Sequence, residues 1–313
     1  MILLTGGLGQ IGTELISALN IRHGVENVVV TDLQDSPNIE NRYHKLDVRD
    51  REGLRELFAK ENITQIYHMA ALLSATGEKN PGLCWDVNMN GTINILEFAL
   101  EKKAQVYLPS SIAVWGKQVE RQNTPQDSVL YPTTMYGVTK ASGEILADYY
   151  YTKHGLDVRG LRYPGIISNK TLPGGGTTDY AVDIFYQAVK TGSYECFLRE
   201  NTTLPMMYMP DCIKATLDLM DADGSNLVNR TNFNVTAFSF SPDELYQEIK
   251  KHILDFEISY SPDYRQAIAD NWPQTVNDSA AREQWGWRPE YDTESMVKDM
   301  IEVLKNKHQN GQI

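Results

Sequence analysis

Tyr136 and Lys140, in the stretch YPTTMYGVTK, stand four residues apart, and on a helix that spacing puts both on one face. The lysine ammonium favours the tyrosine's phenolate by direct charge attraction. This matters because a tyrosine near its ordinary pKa of about 10 is a poor base at neutral pH. Upstream, LPSSIAVWG ends a short apolar run with Ser110 and Ser111, and a serine hydroxyl can hold a substrate oxygen while its proton leaves. Tyr149 and Lys153 repeat the spacing, but at the far end of the same helical stretch, just before His154 and Gly155. A catalytic pair belongs near the helix start, beneath a sheet edge, so Tyr136 and Lys140 are the candidates.

A base beside an alcohol suits oxidation only if something accepts the hydride. The N-terminal loop TGGLGQIG places Gly6, Gly9 and Gly12 in GxxGxxG spacing, with Gln10 and Ile11 opening the next helix. Glycines there serve a tight turn, close backbone approach to a pyrophosphate and tight helix–strand packing. The helix N-terminus adds unpaired N–H groups and a positive dipole end. Asp32 closes VVVTD 20 residues beyond Gly12, followed by Leu33. A carboxylate there accepts both adenosine ribose hydroxyls and repels a 2′-phosphate, so the expected cofactor is NAD and not NADP. Asp47 and Val48 of LDVRD are placed to flank an adenine, and Met69, Ala70 and Ala71 of HMAA offer small residues where the cofactor passes.

Elements that can position these groups are legible in the hydrophobic pattern. Short, almost continuously apolar runs (ILLTG, VVVTD, QIYHMAA, QVYLPSS, VRGLRYP) alternate with helical stretches from about Ile11 and near 51–60, 87–101 and from about Tyr136. That alternation predicts βαβ units and a parallel sheet covered on both faces. The expected fold class is α/β, an NAD-binding Rossmann fold (a doubly wound parallel sheet) with a smaller C-terminal substrate-binding region. Residues 1–165 form the NAD-binding domain, with a later return of the chain near 207–240, and 166–313 mainly the substrate region. Beyond Pro164 the pattern predicts loops at 174–176, 201–205 and 259–273, and helices near 180–190, 210–220, 242–252 and 294–307.

The 313 residues are 42% hydrophobic and 22% charged, ordinary globular values. A net charge of −12 argues against nucleic acid and anionic membranes as partners. No apolar run approaches the roughly 20 residues that span a bilayer, and Met1 enters an apolar run without a basic flank, unlike a secretory signal. Three scattered cysteines, Cys84, Cys196 and Cys212, predict a reducing, cytoplasmic compartment. The six histidines lack metal-site spacing, so no metal is expected.

TGGLGQIG, Asp32, HMAA, Asn88 in DVNMNGT, the PSS strand end, YGVTK and NDSAAREQWGWRP at 277–289 together resemble the extended short-chain dehydrogenase/reductase family. The likeness covers nearly the whole chain. It implies Ser111, counted back from VWG, as the catalytic serine, and Asn88 among the cofactor-side residues. It further implies that Lys140 hydrogen-bonds the nicotinamide ribose, that Tyr163 and Ile166 lie near the nicotinamide, and that helices near 88–101 and 136–153 form a homodimer interface.

LPGGGTTDYAVDIFYQAVKTG, with ENTTLPMMYMPDC after it, resembles the branch of this family that oxidises L-threonine. That resemblance implies hydride transfer to NAD and removal of the Cβ hydroxyl proton by Tyr136, leaving 2-amino-3-oxobutyrate. Thr177 and Thr178, with backbone N–H groups near Gly174, Gly175 and Gly176, could bind the substrate carboxylate. Ser74 is a further polar contact. Asp179 either caps the helix that follows or meets the substrate ammonium, and Trp272 either closes over the pocket or packs. Two alternatives stay open: a sugar-nucleotide epimerase, and a non-catalytic NAD-sensing protein. Against the first, Arg199, Arg230 and Arg288 form no evident phosphate clamp. Ile112 and Ala113 follow Ser111 where dehydratases carry an acidic pair.

Overall fold

Apolar runs that read as doubly covered strands form the centre of the molecule. In the computed structural model, which describes residues 1–35, 38–171, 174 and 176–313, β1 (Ile2–Thr5), β2 (Val28–Asp32), β3 (Arg42–Lys45), β4 (Gln65–His68) and β5 (Gln105–Tyr107) lie parallel in the order β3-β2-β1-β4-β5. β6 (Ser110–Ser111) continues the line of β5 past Leu108 and Pro109. The next strand is split around Gly160 into β7 (Val158–Arg159) and β8 (Leu161–Tyr163), pairing with β5 and β6 in turn. A β-carbon at Gly160 would lie 2.2 Å from the Leu108 carbonyl oxygen, so only glycine lets the two broken strands close up.

The remaining strands are β9 (Gly165–Ile167), β10 (Ser193–Cys196), β11 (Leu204–Tyr208), β12 (Phe233–Asn234), β13 (Phe238–Phe240) and β14 (Glu257–Tyr260). β12 returns to pair with β8 at the edge of the main sheet, while β11 is sandwiched between β9 and β13.

Successive side chains alternate across the sheet. Leu3 and Val29 face one layer with Leu54, Phe58, Ile95 and Leu96. Leu4 and Val30 face the other with Leu15, Leu19, Leu219 and Trp287. Each such buried side chain contributes about 1.5–3 kcal/mol. A third core gathers Tyr180, Phe185, Tyr208, Met296 and Met300, where the helix Tyr180–Lys190 packs on Thr293–Gln309. The result is the doubly wound Rossmann architecture. Its strand order reverses between β1 and β4, where Thr5 and His68 are register partners, and open α/β sheets bind ligands at that crevice.

Two expected loops are partly ordered, and three elements go unannounced by the pattern. The stretch 201–205 is not all loop: Leu204 and Pro205 open β11, because Leu204, Met206 and Met207 are buried between two partner strands. Within 259–273 lie the end of β14 and the helix Tyr264–Ala269. β3 and the short helices Ser74–Lys79 and Pro81–Trp85 carry no strong apolar period, β3 being a polar edge strand, RYHK. Among the described residues no helix is long and apolar enough to cross a membrane. All three cysteines are free and buried.

Candidate active site

The glycine loop after β1 is shaped by close approach. Gly6 adopts φ +63°, and a β-carbon there would sit 2.6 Å from the Ala70 backbone; one at Gly12 would sit 2.5 Å from the Gly6 carbonyl oxygen. Loop, helix Gln10–His23 and the end of β4 are thus pressed together at the switch point. The helix begins at Gly9 without a side-chain cap or an acidic residue in its first turn, leaving its N–H groups for an anion. Asp32 stands over this loop: its carboxylate accepts hydrogen bonds from Leu8 N at 3.0 Å and Leu33 N at 2.7 Å. The donor set and the glycine cradle fit NAD. Asp47 is gripped by Arg49 at 2.6 Å, and that bond holds its carboxyl below the usual range. Val48 is buried, with its carbonyl bound by Asn94.

A cleft of about 240 Å³ runs from the glycine loop into the second half of the chain. Gly6, Gly9, Gln10, Ile11 and Gly12 line its cofactor end, with Met69, Ala71, Tyr163 and Ile166. Ser111, Tyr136 and Lys140 form its middle; Ser74, Gly176, Thr177, Thr178, Asp179 and Trp272 line the rest. Asp32, Leu33, Asp47 and Val48 lie further along the sheet edge, outside this cleft. Gly174 does not line it, and Gly175 lies outside the described residues.

The catalytic candidates are held by local devices. Ser111 ends β6, and its Oγ accepts from Ala113 N at 3.2 Å, capping the short turn Ile112–Val114. Thr134 caps the helix Met135–His154 through Gly137 N at 3.1 Å, and Glu78 accepts from Met135 N at 2.6 Å. Burial pushes the Tyr136 phenol up to about 12, and its hydrogen bond with Ser111 offsets this only in part. Burial also draws Lys140 down to about 8. The Lys140 Nζ donates to the Pro109 carbonyl at 2.8 Å and lies 5.6 Å from the Tyr136 ring centre. Tyr149 is half exposed at the helix's far end, against His154.

Asn88 and Ala70 do not face the cleft; both line a recess behind Lys140. The buried Asn88 accepts from Leu72 N at 2.8 Å and donates to Leu72 O at 3.1 Å and to Thr139 Oγ1 at 3.0 Å. It therefore ties the loop after β4 to the helix of Tyr136. Its segment Asp86–Asn90 is a single π turn, a distortion often found beside functional sites. Sequence reasoning missed Glu78, His68 and Glu144 as site residues, none of which has a motif of its own, and it passed over Ser110 in favour of Ser111. Only the i+4 position of Glu144 after Lys140 could have flagged it.

The later glycine segment is organised differently from expectation. The Asp179 carboxylate accepts from Gly176 N at 2.5 Å, so that N–H is taken and is not left for a substrate carboxylate. Asp179 occupies the N-cap position of Tyr180–Lys190 without capping it through its side chain. Thr177 is buried, and Thr178 packs so close to Gly165 that a β-carbon there would lie 2.8 Å from it. Trp272 is buried in the cleft wall, and its carbonyl accepts from Arg121. Arg199 is paired with Asp270 and Arg230 with Asp157, while Arg288 donates to the Trp287 carbonyl. Each arginine is thus engaged away from the cleft.

The family model for the NAD dependent epimerase/dehydratase family matches residues 2–236. A monomeric L-threonine 3-dehydrogenase from a metagenome is 50% identical, with a TM-score of 0.95, covering 98% of this chain and 99% of that one. The L-threonine dehydrogenase of Clostridium difficile is 47% identical, with a TM-score of 0.96 and 98% of both chains covered. The mitochondrial L-threonine 3-dehydrogenase of Bos taurus is 45% identical over 96% of this chain and 81% of its own length.

Proposed function

The chain belongs to the NAD-dependent epimerase/dehydratase family, and from that premise we propose that it oxidises L-threonine at the Cβ hydroxyl to 2-amino-3-oxobutyrate. It is an NAD-dependent oxidoreductase. The observation that carries the threonine reading is one cleft that joins Ser111, Tyr136 and Lys140 to Ser74, Thr177, Thr178 and Asp179. A small zwitterion with a secondary alcohol needs a base, a hydroxyl anchor, donors for its carboxylate and an acid for its ammonium, and these residues supply them.

Gly6, Gly9 and Gly12 hold the pyrophosphate, Asp32 the adenosine ribose, and Lys140 the nicotinamide ribose. Bound NAD supplies the hydride acceptor. Ser111 orients the substrate hydroxyl, and Tyr136 takes its proton as general base. Thr177 and Thr178 meet the carboxylate. The product is a β-keto acid prone to lose CO2.

Steady NADH formation with L-threonine, and little with other β-hydroxy amino acids, is the expected result. NAD binding without turnover of threonine would overturn the reading. Turnover of a UDP-sugar without added NAD would select an epimerase, a chemistry the engaged Arg199, Arg230 and Arg288 do not favour. An NAD-sensing role is selected if Tyr136→Phe changes nothing. We place the protein in the cytoplasm as a homodimer joined through the helices Gly91–Lys102 and Met135–His154. Ile145 and Tyr149, on the second of these, expose apolar surface. A monomeric mass in solution, as for the metagenome relative, would remove that assembly.

A further inference from the structure

The short helix Ser74–Lys79 touches both the substrate end of the cleft and the start of the catalytic helix. Ser74 lines the cleft, with Leu73 just before it. Glu78 stands one turn further along the same face. Its Oε1 accepts from Met135 N at 2.6 Å, across 57 residues of sequence. Met135 opens the helix Met135–His154 and immediately precedes Tyr136. Its N–H is one of those that a helix start leaves without an internal partner. Thr134 serves a different donor, Gly137 N. The first N–H of the catalytic helix is therefore held from outside, by an element whose other end carries a hydroxyl at the substrate cleft.

Close packing makes that element a stiff link. A β-carbon at Gly77 would lie 2.8 Å from Cys84 Sγ and 3.8 Å from Tyr136 N, so the segment has no slack against the catalytic helix. The helix Pro81–Trp85, which carries Cys84, packs on both. Gly77 N donates to Leu73 O at 2.8 Å, which ties the turn holding Glu78 to the cleft wall.

We propose that Glu78 is a positioning residue that couples substrate binding at Ser74 to the placement of Tyr136. The proposal rests on the oxidation of L-threonine put forward above. When the amino-acid end of the substrate engages Ser74, the helix Ser74–Lys79 is fixed. Glu78 passes that order to Met135 N and so to the residue after it. Threonine thus helps to assemble the base that takes its proton. Contacts remote from the reacting hydroxyl then act on the rate of the chemical step and not only on affinity. The hydrogen bond carries the effect, so an amide oxygen at position 78 can replace the carboxylate.

Glu78→Ala and Glu78→Gln, each alone and in a Ser74→Ala background, provide the test. Glu78 is exposed, so neither change disturbs the core. Glu78→Ala should lower kcat about tenfold, the effect of a sub-ångström misplacement, while the KM values for threonine and NAD stay within about twofold. Glu78→Gln should keep kcat within about threefold of wild type. With Ser74 already replaced, Glu78→Ala should lower kcat by less than about threefold more, because residues acting as one unit are not additive. Hydrogen–deuterium exchange reads the link without turnover. With NADH bound, adding L-threonine should slow exchange at 135–137 by about fivefold or more in the wild type and not in Glu78→Ala. The proposal is overturned by equal losses in the Ala and Gln variants, by the full tenfold loss recurring in the Ser74→Ala background, or by threonine slowing exchange at 74–79 alone. If threonine slows exchange at neither segment and gives no NADH, the proposed function itself fails, an outcome distinct from a broken link.

Discussion

Gly137 lies against Ala113 so closely that a β-carbon would stand 2.2 Å from the Ala113 carbonyl oxygen. Ala113 stands two residues beyond Ser111, which meets the Tyr136 phenol, so this contact bears on the distance between the proposed base and its anchor. Gly137→Ala must push the helix start away from the turn Ile112–Val114. A displacement of about 1 Å can cost 100-fold, and turnover is expected to fall by about 10- to 100-fold. NAD affinity, read by NADH fluorescence titration, should stay within about twofold. An unchanged turnover would mean that the Tyr136–Ser111 contact does not limit the reaction.

Tyr136→Phe keeps the ring and removes only the hydroxyl. General-base removal typically costs 10²–10⁴ in rate, and that range is expected in threonine-dependent NADH formation. Binding of NAD should persist. Activity near wild type would transfer the base role elsewhere.

Asp32, proposed to hold the adenosine ribose, also braces the glycine loop, since one oxygen accepts from Leu8 N and the other from Leu33 N. Asp32→Ala removes these charge-assisted bonds, each contributing about 1.5–3 kcal/mol, and also the repulsion of a 2′-phosphate. The KM for NAD should rise by about tenfold or more, and the preference over NADP should shrink. An undiminished NAD/NADP ratio would detach Asp32 from the ribose.

Thr177 and Thr178 carry the substrate assignment. Replacing either with Ala should raise the KM for threonine by about tenfold, the loss of a hydrogen bond to a charged group, while the KM for NAD stays put. If both constants are unchanged, this stretch is a hinge and not a binding wall.

Lys140 sets a pH dependence of stability. Burial lowers it to about 8 from 10.5, so between those values the unfolded chain holds more protons than the folded one, and stability rises with pH. The rise over the full window is on the order of 3 kcal/mol. Tyr136 acts oppositely: raised to about 12 from 10.0, its contribution is complete below pH 10 and is lost as pH climbs through 12. Lys140→Met, compared with wild type by urea unfolding between pH 7 and 10, should lose the rise. Parallel curves would show that the ammonium is better solvated than its burial implies.

Much of the site is legible in the sequence because its signals are local. A tight turn followed by a helix demands glycines at short spacing, so Gly6, Gly9 and Gly12 can be read from the chain. Two residues four apart share a helix face wherever the helix sits, so spacing alone pairs Tyr136 with Lys140. The doubly covered strands announce themselves by continuous apolar runs, whereas the polar edge strand Arg42–Lys45 has no such pattern to show. The choice of Ser111 over Ser110 comes from family resemblance alone.

Tertiary structure decided the rest. Asn88 bonds Leu72 and Thr139 and does not line the cleft, contacts made between elements distant in the chain. Asp179 spends an oxygen on Gly176 N, a contact decided by how the segment folds back rather than by residue type. His68, Ser110 and Glu144 meet Lys140 around one recess although they come from β4, β6 and the middle of a helix. By itself the sequence determined which groups can titrate, turn or donate, since those are properties of residues and their near neighbours. Which of them share a buried space follows only from packing between elements distant in the chain, because burial, register and close approach are set across the whole fold.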